Sequence, residues 1–183
     1  MDDITQEVLA KLEETSKEFW NVSVQTANFL SILIKATNRK SALEIGTSNG
    51  YSGIWLAKAL KTTGGKLTTI EFWDKRLSVA VENFTKCGVN DIITPKLGSA
   101  CDILPELDDK FDFVFIDANK GEYVKYYDLI LPKLLPNAII AADNVHSHRE
   151  KVRPFLDKIA ANSDFQSQIL DLPDGLLLAY KLS

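Results

Sequence analysis

Ala42-Leu43-Glu44-Ile45-Gly46-Thr47-Ser48-Asn49-Gly50-Tyr51-Ser52-Gly53 is the stretch on which the fold turns. Its opening is a short apolar run interrupted only by Glu44, which predicts a strand over 42–46. A helix is predicted from Tyr51 to Lys61, closed by Gly64-Gly65, so the stretch is strand, glycine-rich loop, helix. The same alternation continues downstream, with strands expected over 67–71, 92–97, 111–117 and 138–142 and helices over 75–86 and 122–131. Such repetition implies an α/β fold, a parallel sheet carrying helices on both faces. A helix over 151–160 follows. The closing strands, 166–170 and 176–181, are separated by Pro173-Asp174-Gly175, which predicts a terminal antiparallel hairpin and brings the mostly parallel sheet to seven strands.

Upstream, Ile4, Val8 and Leu12 predict a helix over 4–17, and Phe29, Leu30, Leu33 and Ile34 a second over 24–36. No repeat, low-complexity tract or linker divides the chain. The expectation is one domain, 1–183, with residues 1–37 as a helical cover and 38–183 as the core. A chain of 183 residues that is 45% hydrophobic can bury one substantial core. Its net charge of -4 disfavours a nucleic-acid partner, which needs a basic surface to neutralise phosphates. Met1-Asp2-Asp3-Ile4 lacks the basic and apolar regions of a secretion signal, and no apolar stretch reaches bilayer length. A soluble, cytoplasmic protein with no membrane partner is expected. Cys87 and Cys101 lack the spacing of a zinc or redox pair and read as reduced, partly buried thiols.

In an open parallel sheet, ligands bind beyond the carboxyl ends of the strands, so the informative residues stand there. The loop after the first strand is G-x-x-x-G-x-x-G, which fails the dinucleotide fingerprint at its second glycine. Glu44 beside it opposes a pyrophosphate but suits a ligand carrying a sulfonium and an ammonium group. The same glycines would also serve a plain strand-to-helix turn. Glu71, ending the second strand, is placed to accept hydrogen bonds from both ribose hydroxyls of a nucleoside, and Phe72 and Trp73 after it could stack on a base. Two further apolar strands each end in a carboxylate, at Asp117 and Asp143. With the amide oxygen of Asn144 these make a hard oxygen set suited to Mg²⁺, leaving positions for water and substrate. Lys120, three residues past Asp117, is placed beside that cation to take a proton from a hydroxyl. His146 and His148 could face one side of an extended segment, but a role in lining the pocket, or simple exposure, is preferred over a metal role.

These residues resemble the cation-dependent O-methyltransferases, the group of catechol and caffeoyl-CoA O-methyltransferases. The likeness runs from about Trp20 to Lys181 and rests on LEIGTSNGYSG at 43–53, TIE at 69–71, FIDANK at 115–120, ADN at 142–144 and PDGLLLAYK at 173–181. The resemblance implies a Rossmann-like class I methyltransferase fold, S-adenosylmethionine and Mg²⁺ or another divalent cation as cofactors, and a small hydroxylated aromatic substrate such as a catechol. It implies that Gly46 and its loop hold the methionine portion, that the Asn21-Val22 backbone meets the amino-acid end, and that Ala100-Cys101 meets the adenine edge. The expected cofactor set is then Val22, Glu44, Gly46, Thr47, Ser52, Glu71, Phe72, Ala100 and Asp117; the metal set is Asp117, Asp143 and Asn144; and Lys120 is the catalytic lysine. The sequence departs from catechol enzymes at Leu177, where they carry an acid, and at Ala118, where they carry a bulkier residue. The alternatives are a tRNA hydroxyuridine O-methyltransferase of the same family and a non-catalytic nucleotide-binding domain. A homodimer through the N-terminal helices is implied by family likeness alone.

Overall fold

The computed structural model describes residues 1–182, and its centre is the pair of strands β1 (Ser41–Ile45) and β4 (Phe111–Ile116). On one side β1 pairs with β2 (Lys66–Glu71) and then β3 (Ile93–Leu97); on the other, β4 pairs with β5 (Leu134–Ala142). All four pairings are parallel. β6 (Phe165–Leu170) and β7 (Leu176–Lys181) form the expected antiparallel hairpin, and β7 inserts between β5 and β6 to give the order β3-β2-β1-β4-β5-β7-β6. Strand order reverses between β1 and β4, where the chain leaves a crevice beyond their carboxyl ends.

Period-two alternation along β4 divides the core. Phe113 and Phe115 face helices α3 (Val24–Ala36), α4 (Tyr51–Thr63) and α5 (Asp74–Lys86); Val114 and Ile116 face α6 (Ala100–Glu106), α7 (Tyr123–Ile130) and α8 (Arg149–Ala160). All four side chains are fully buried, each worth about 1.5–3 kcal/mol of transfer free energy. That two-sided burial explains why residues 113–116 read as an unbroken apolar run.

Several boundaries differ from expectation. The first predicted helix is two pieces, α1 (Asp3–Glu14) and α2 (Ser16–Phe19), broken at Thr15, and Trp20 ends the second piece in the left-handed conformation. Helix α6 was not expected: it is seven residues long and carries Pro105, which obscures any periodicity. β5 starts at Leu134, four residues before the predicted strand: its register against β4 shifts between Phe111 and Phe113, so that Leu134 pairs with Phe111 across the irregular Leu135-Pro136-Asn137 stretch. A 3-10 turn over Lys120–Glu122 precedes α7, so Lys120 sits on a tight turn ahead of the α-helix. No helix among the described residues is long and apolar enough to cross a membrane.

Candidate functional site

Gly46 leaves β1 at φ +107°, donating its N–H to the Ile70 carbonyl at 3.0 Å. A Cβ here would stand 2.0 Å from the Asp117 carbonyl oxygen, so only glycine lets the ends of β1 and β4 approach this closely. The loop it opens is held by Glu71, whose two carboxylate oxygens accept the N–H groups of Ser48 at 2.8 Å and Trp73 at 2.9 Å. Each oxygen keeps a second lone pair for a ligand hydroxyl. Ser48 Oγ in turn donates to the Phe19 carbonyl at 2.8 Å and ties the segment before α3 to the loop.

Around this loop opens a cavity of about 560 Å³. Its wall includes Val22, Gly46, Thr47, Ser52, Glu71, Phe72, Ala100, Asp117 and Lys120, and also Asn21 and Trp73. Glu44, Cys101, Asp143 and Asn144 are not part of that wall. Glu44, expected to face the ligand, lies instead beneath the loop with no exposed surface, accepting from Ser52 Oγ and Thr69 Oγ1 at 2.6 Å each; Thr69 also shares a 2.6 Å hydrogen bond with Thr47. It therefore acts on the wall from behind, through Ser52 and Thr47.

Burial pushes the Glu44 carboxyl up to about 7, against the two hydroxyl bonds that favour its charge. Between the ordinary glutamate value and 7 the folded chain keeps a proton that the unfolded chain releases, so stability falls as pH rises through that window. The full loss is on the order of 3 kcal/mol. Glu44→Gln has no proton to lose, and its amide can be satisfied if the Thr47–Thr69 hydroxyls reverse. Urea unfolding at pH 5 and pH 8 should show the variant gaining on wild type at the higher pH. Parallel pH dependence in the two proteins would remove the burial argument.

Parallel pairing of Ile116 with Ala142 brings the next residues, Asp117 and Asp143, to neighbouring strand ends. Asp143 is buried, one of its carboxylate oxygens has no hydrogen-bond partner, and burial followed by repulsion from Asp117 raises its proton affinity well above the usual carboxylate range. The Lys120 ammonium lies 2.8 Å from Asp117 Oδ1, with both side chains largely buried, and 5.8 Å from the Tyr123 ring centre. Asn144 holds the left-handed conformation at φ +64°, the sharp turn that follows Asp143. An orphaned buried carboxylate oxygen beside a second acid is the environment a hard cation relieves, so the residues present fit a divalent metal. Among the described residues no three His, Cys, Asp or Glu side chains converge as a metal cluster. The candidate set is instead two carboxylates and an amide. His146 and His148 are exposed and stand outside the cavity wall: His148 Nδ1 is 3.2 Å from Ser147 Oγ, and His146 Nδ1 is 3.8 Å from Asp171. Leu177 is core, paired with Ala142.

Sequence reasoning missed an aromatic cluster at the mouth. Arg76 lies 4.5 Å from the Trp20 ring centre, 5.5 Å from Trp73 and 5.8 Å from Phe19, and Trp20 and Phe72 are largely exposed. Trp73 and Arg76 are three apart on one helical face, a signal present in the sequence; Trp20 comes from a distant segment and carried none. Glu122 and Tyr126, four apart at the start of α7, also line the cavity and were likewise passed over.

Comparison with known proteins accords with this geometry. A family model described as O-methyltransferase matches residues 2–182. A catechol O-methyltransferase of Niastella koreensis is 36% identical over 148 residues, covering 79% of this chain and 66% of that protein. One from Mycobacterium tuberculosis is 39% identical over 125 residues, covering 68% and 56%. The chain thus spans less than two thirds of the length of these two curated relatives. Among solved structures, the O-methyltransferase TomG of Streptomyces achromogenes, involved in tomaymycin synthesis and determined in complex with SAM, superposes with a TM-score of 0.89 at 30% identity, covering all of this chain and 91% of TomG. With a family match over nearly its whole length, and a glycine loop, strand-end acids and lysine meeting at one crevice, the chain belongs to the O-methyltransferase family.

Proposed function

We propose that the protein is an S-adenosylmethionine-dependent O-methyltransferase that uses Mg²⁺ or a similar divalent cation to methylate a hydroxyl of a small aromatic substrate with adjacent oxygens. The observation that carries this is Asp117 and Lys120 in the wall of the cavity that Gly46 and Glu71 line, with orphaned Asp143 just behind that wall at the neighbouring strand end. Glu71 would accept both ribose hydroxyls through its free lone pairs. Gly46, Thr47 and Ser52 would border the methionine portion, Val22 its amino-acid end, and Phe72 and Ala100 the base. Asp117, Asp143 and Asn144 would hold the cation. S-Adenosylmethionine supplies a methyl group on a sulfonium, and the cation supplies charge that acidifies a substrate hydroxyl.

The protein's own contribution is position and proton transfer. Lys120 Nζ, as the neutral amine, takes the proton from the substrate hydroxyl and becomes the ammonium, and its hydrogen bond to Asp117 Oδ1 aims that nitrogen. A vicinal dihydroxy aromatic suits the site because two adjacent oxygens can share one cation and fix which oxygen meets the methyl group. Calorimetric titration of S-adenosylmethionine, followed by transfer to a panel of catechols with and without Mg²⁺, tests the proposal. Cofactor binding with cation-dependent transfer is expected. Folded protein that binds no cofactor would sink it, and transfer to bulk tRNA with no reaction on catechols would redirect the substrate class.

A further inference from the structure

The cavity wall contains a carboxylate with no part in this scheme. Glu122 ends the 3-10 turn before α7 and lines the cavity together with Ser99, Ala100 and Tyr126. The Tyr126 hydroxyl donates to Glu122 Oε2 at 2.8 Å, and burial followed by this hydrogen bond raises the phenol's proton affinity, so this hydroxyl stays a donor and pins that oxygen. The other oxygen, Oε1, meets only the Cys101 thiol of α6 at 3.9 Å, a long contact from a weak donor. Lys120, two residues away, gives its ammonium to Asp117 instead, and no ion pair among the described residues involves Glu122. A strong acceptor with spare capacity therefore faces the cavity where α6 meets α7.

Strand order says which part of the cofactor reaches this place. β2 lies between β1 and β3. With the ribose on Glu71, at the end of β2, and the amino-acid end at the Gly46 loop after β1, as proposed above, the base extends away from β1 towards the β3–α6 turn, where Ser99 and Ala100 line the same cavity. Glu122 stands across that turn, in contact with Cys101. A carboxylate there repels a ring carbonyl and attracts an amino group.

We infer that Glu122 reads the purine: its Oε1 accepts an N–H from the exocyclic amine of adenine and selects a 6-amino over a 6-oxo purine. This rests on the cofactor assignment proposed above. The test uses binding alone, by titrating wild type and Glu122→Gln with S-adenosylhomocysteine and S-inosylhomocysteine. Wild type prefers the adenosyl ligand by about tenfold or more, the scale of a hydrogen bond to a charged group. In Glu122→Gln, Tyr126 donates to the amide oxygen and leaves the NH₂ facing the cavity, where it suits a 6-oxo group. The preference then falls below roughly threefold or reverses. Should that variant unfold, Tyr126→Phe frees the pinned carboxylate and must also reduce the ratio. Equal wild-type affinity for both ligands, or an unchanged ratio in a folded variant, overturns the inference. A wild-type chain that binds neither ligand overturns the cofactor assignment itself, a separate result.

Discussion

Lys120→Ala is expected to lower the rate of methyl transfer by about 10²–10⁴-fold, the usual contribution of a positioned general base. The amine is not a free surface lysine: it is fixed 2.8 Å from Asp117 Oδ1 and set over the Tyr123 ring, at the end of the wall where the two acids meet. Removing it takes away the proton acceptor and leaves the glycine loop and Glu71 untouched. Cofactor affinity should therefore stay within about threefold, and the loss should fall on kcat, as for a group that matters in the transition state alone. Loss of the ammonium also frees Asp117 for a cation, so cation affinity should hold or rise. Single-turnover kinetics beside calorimetry separates these effects. A variant that transfers methyl groups at the wild-type rate would remove Lys120 from the mechanism, and one that loses cofactor binding would make it a structural residue.

Gly46→Ala should damage both stability and binding. Alanine at φ +107° is strained by about 1–3 kcal/mol. Its Cβ would also sit 2.0 Å from a backbone oxygen and 2.8 Å from the carbonyl carbon of Asp117, atoms that cannot rotate away as a flexible side chain would. Relief requires the ends of β1 and β4 to part, adding roughly 1–3 kcal/mol of overpacking. Against a total stability of about 5–15 kcal/mol, this lowers the unfolding midpoint clearly. Any folded fraction should bind S-adenosylmethionine at least about tenfold more weakly, because the displaced carbonyl belongs to Asp117 and the displaced loop to Thr47 and Ser48. Thermal unfolding and calorimetry read the two effects. An alanine variant with the wild-type midpoint would show that the strand ends do not meet as described.

Much of this was legible in the residue order. Apolar runs ending in Glu44-Ile45-Gly46, Glu71, Asp117 and Asp143 announce strands whose carboxyl ends carry the polar groups, because a strand buried on both faces has nowhere else to place them. The alternation with helices then dictates parallel pairing, and Pro173-Asp174-Gly175 dictates the final hairpin. Local patterns of this kind depend only on neighbours in the chain. Helix α6 escaped because seven residues with an internal proline carry too little period, and the break at Thr15 escaped because no glycine or proline marks it.

Which distant groups meet is a matter of packing. Strand order, with β7 inside β6, follows from how whole faces bury one another, and no local motif encodes it. Glu44 looked like a ligand contact because it adjoins the glycine loop; the pleat turns it inward to Ser52 and Thr69, where burial rather than a ligand sets its charge. The stacking of Trp20 on Arg76, and the reach of Glu122 to Cys101, join segments 56 and 21 residues apart in the chain. The class of fold and the chemistry stationed at its strand ends are written in the order of residues, since both arise from short-range patterns. Only packing determined which of those groups face the cavity, because that depends on side-chain direction and on contacts closed across the sheet.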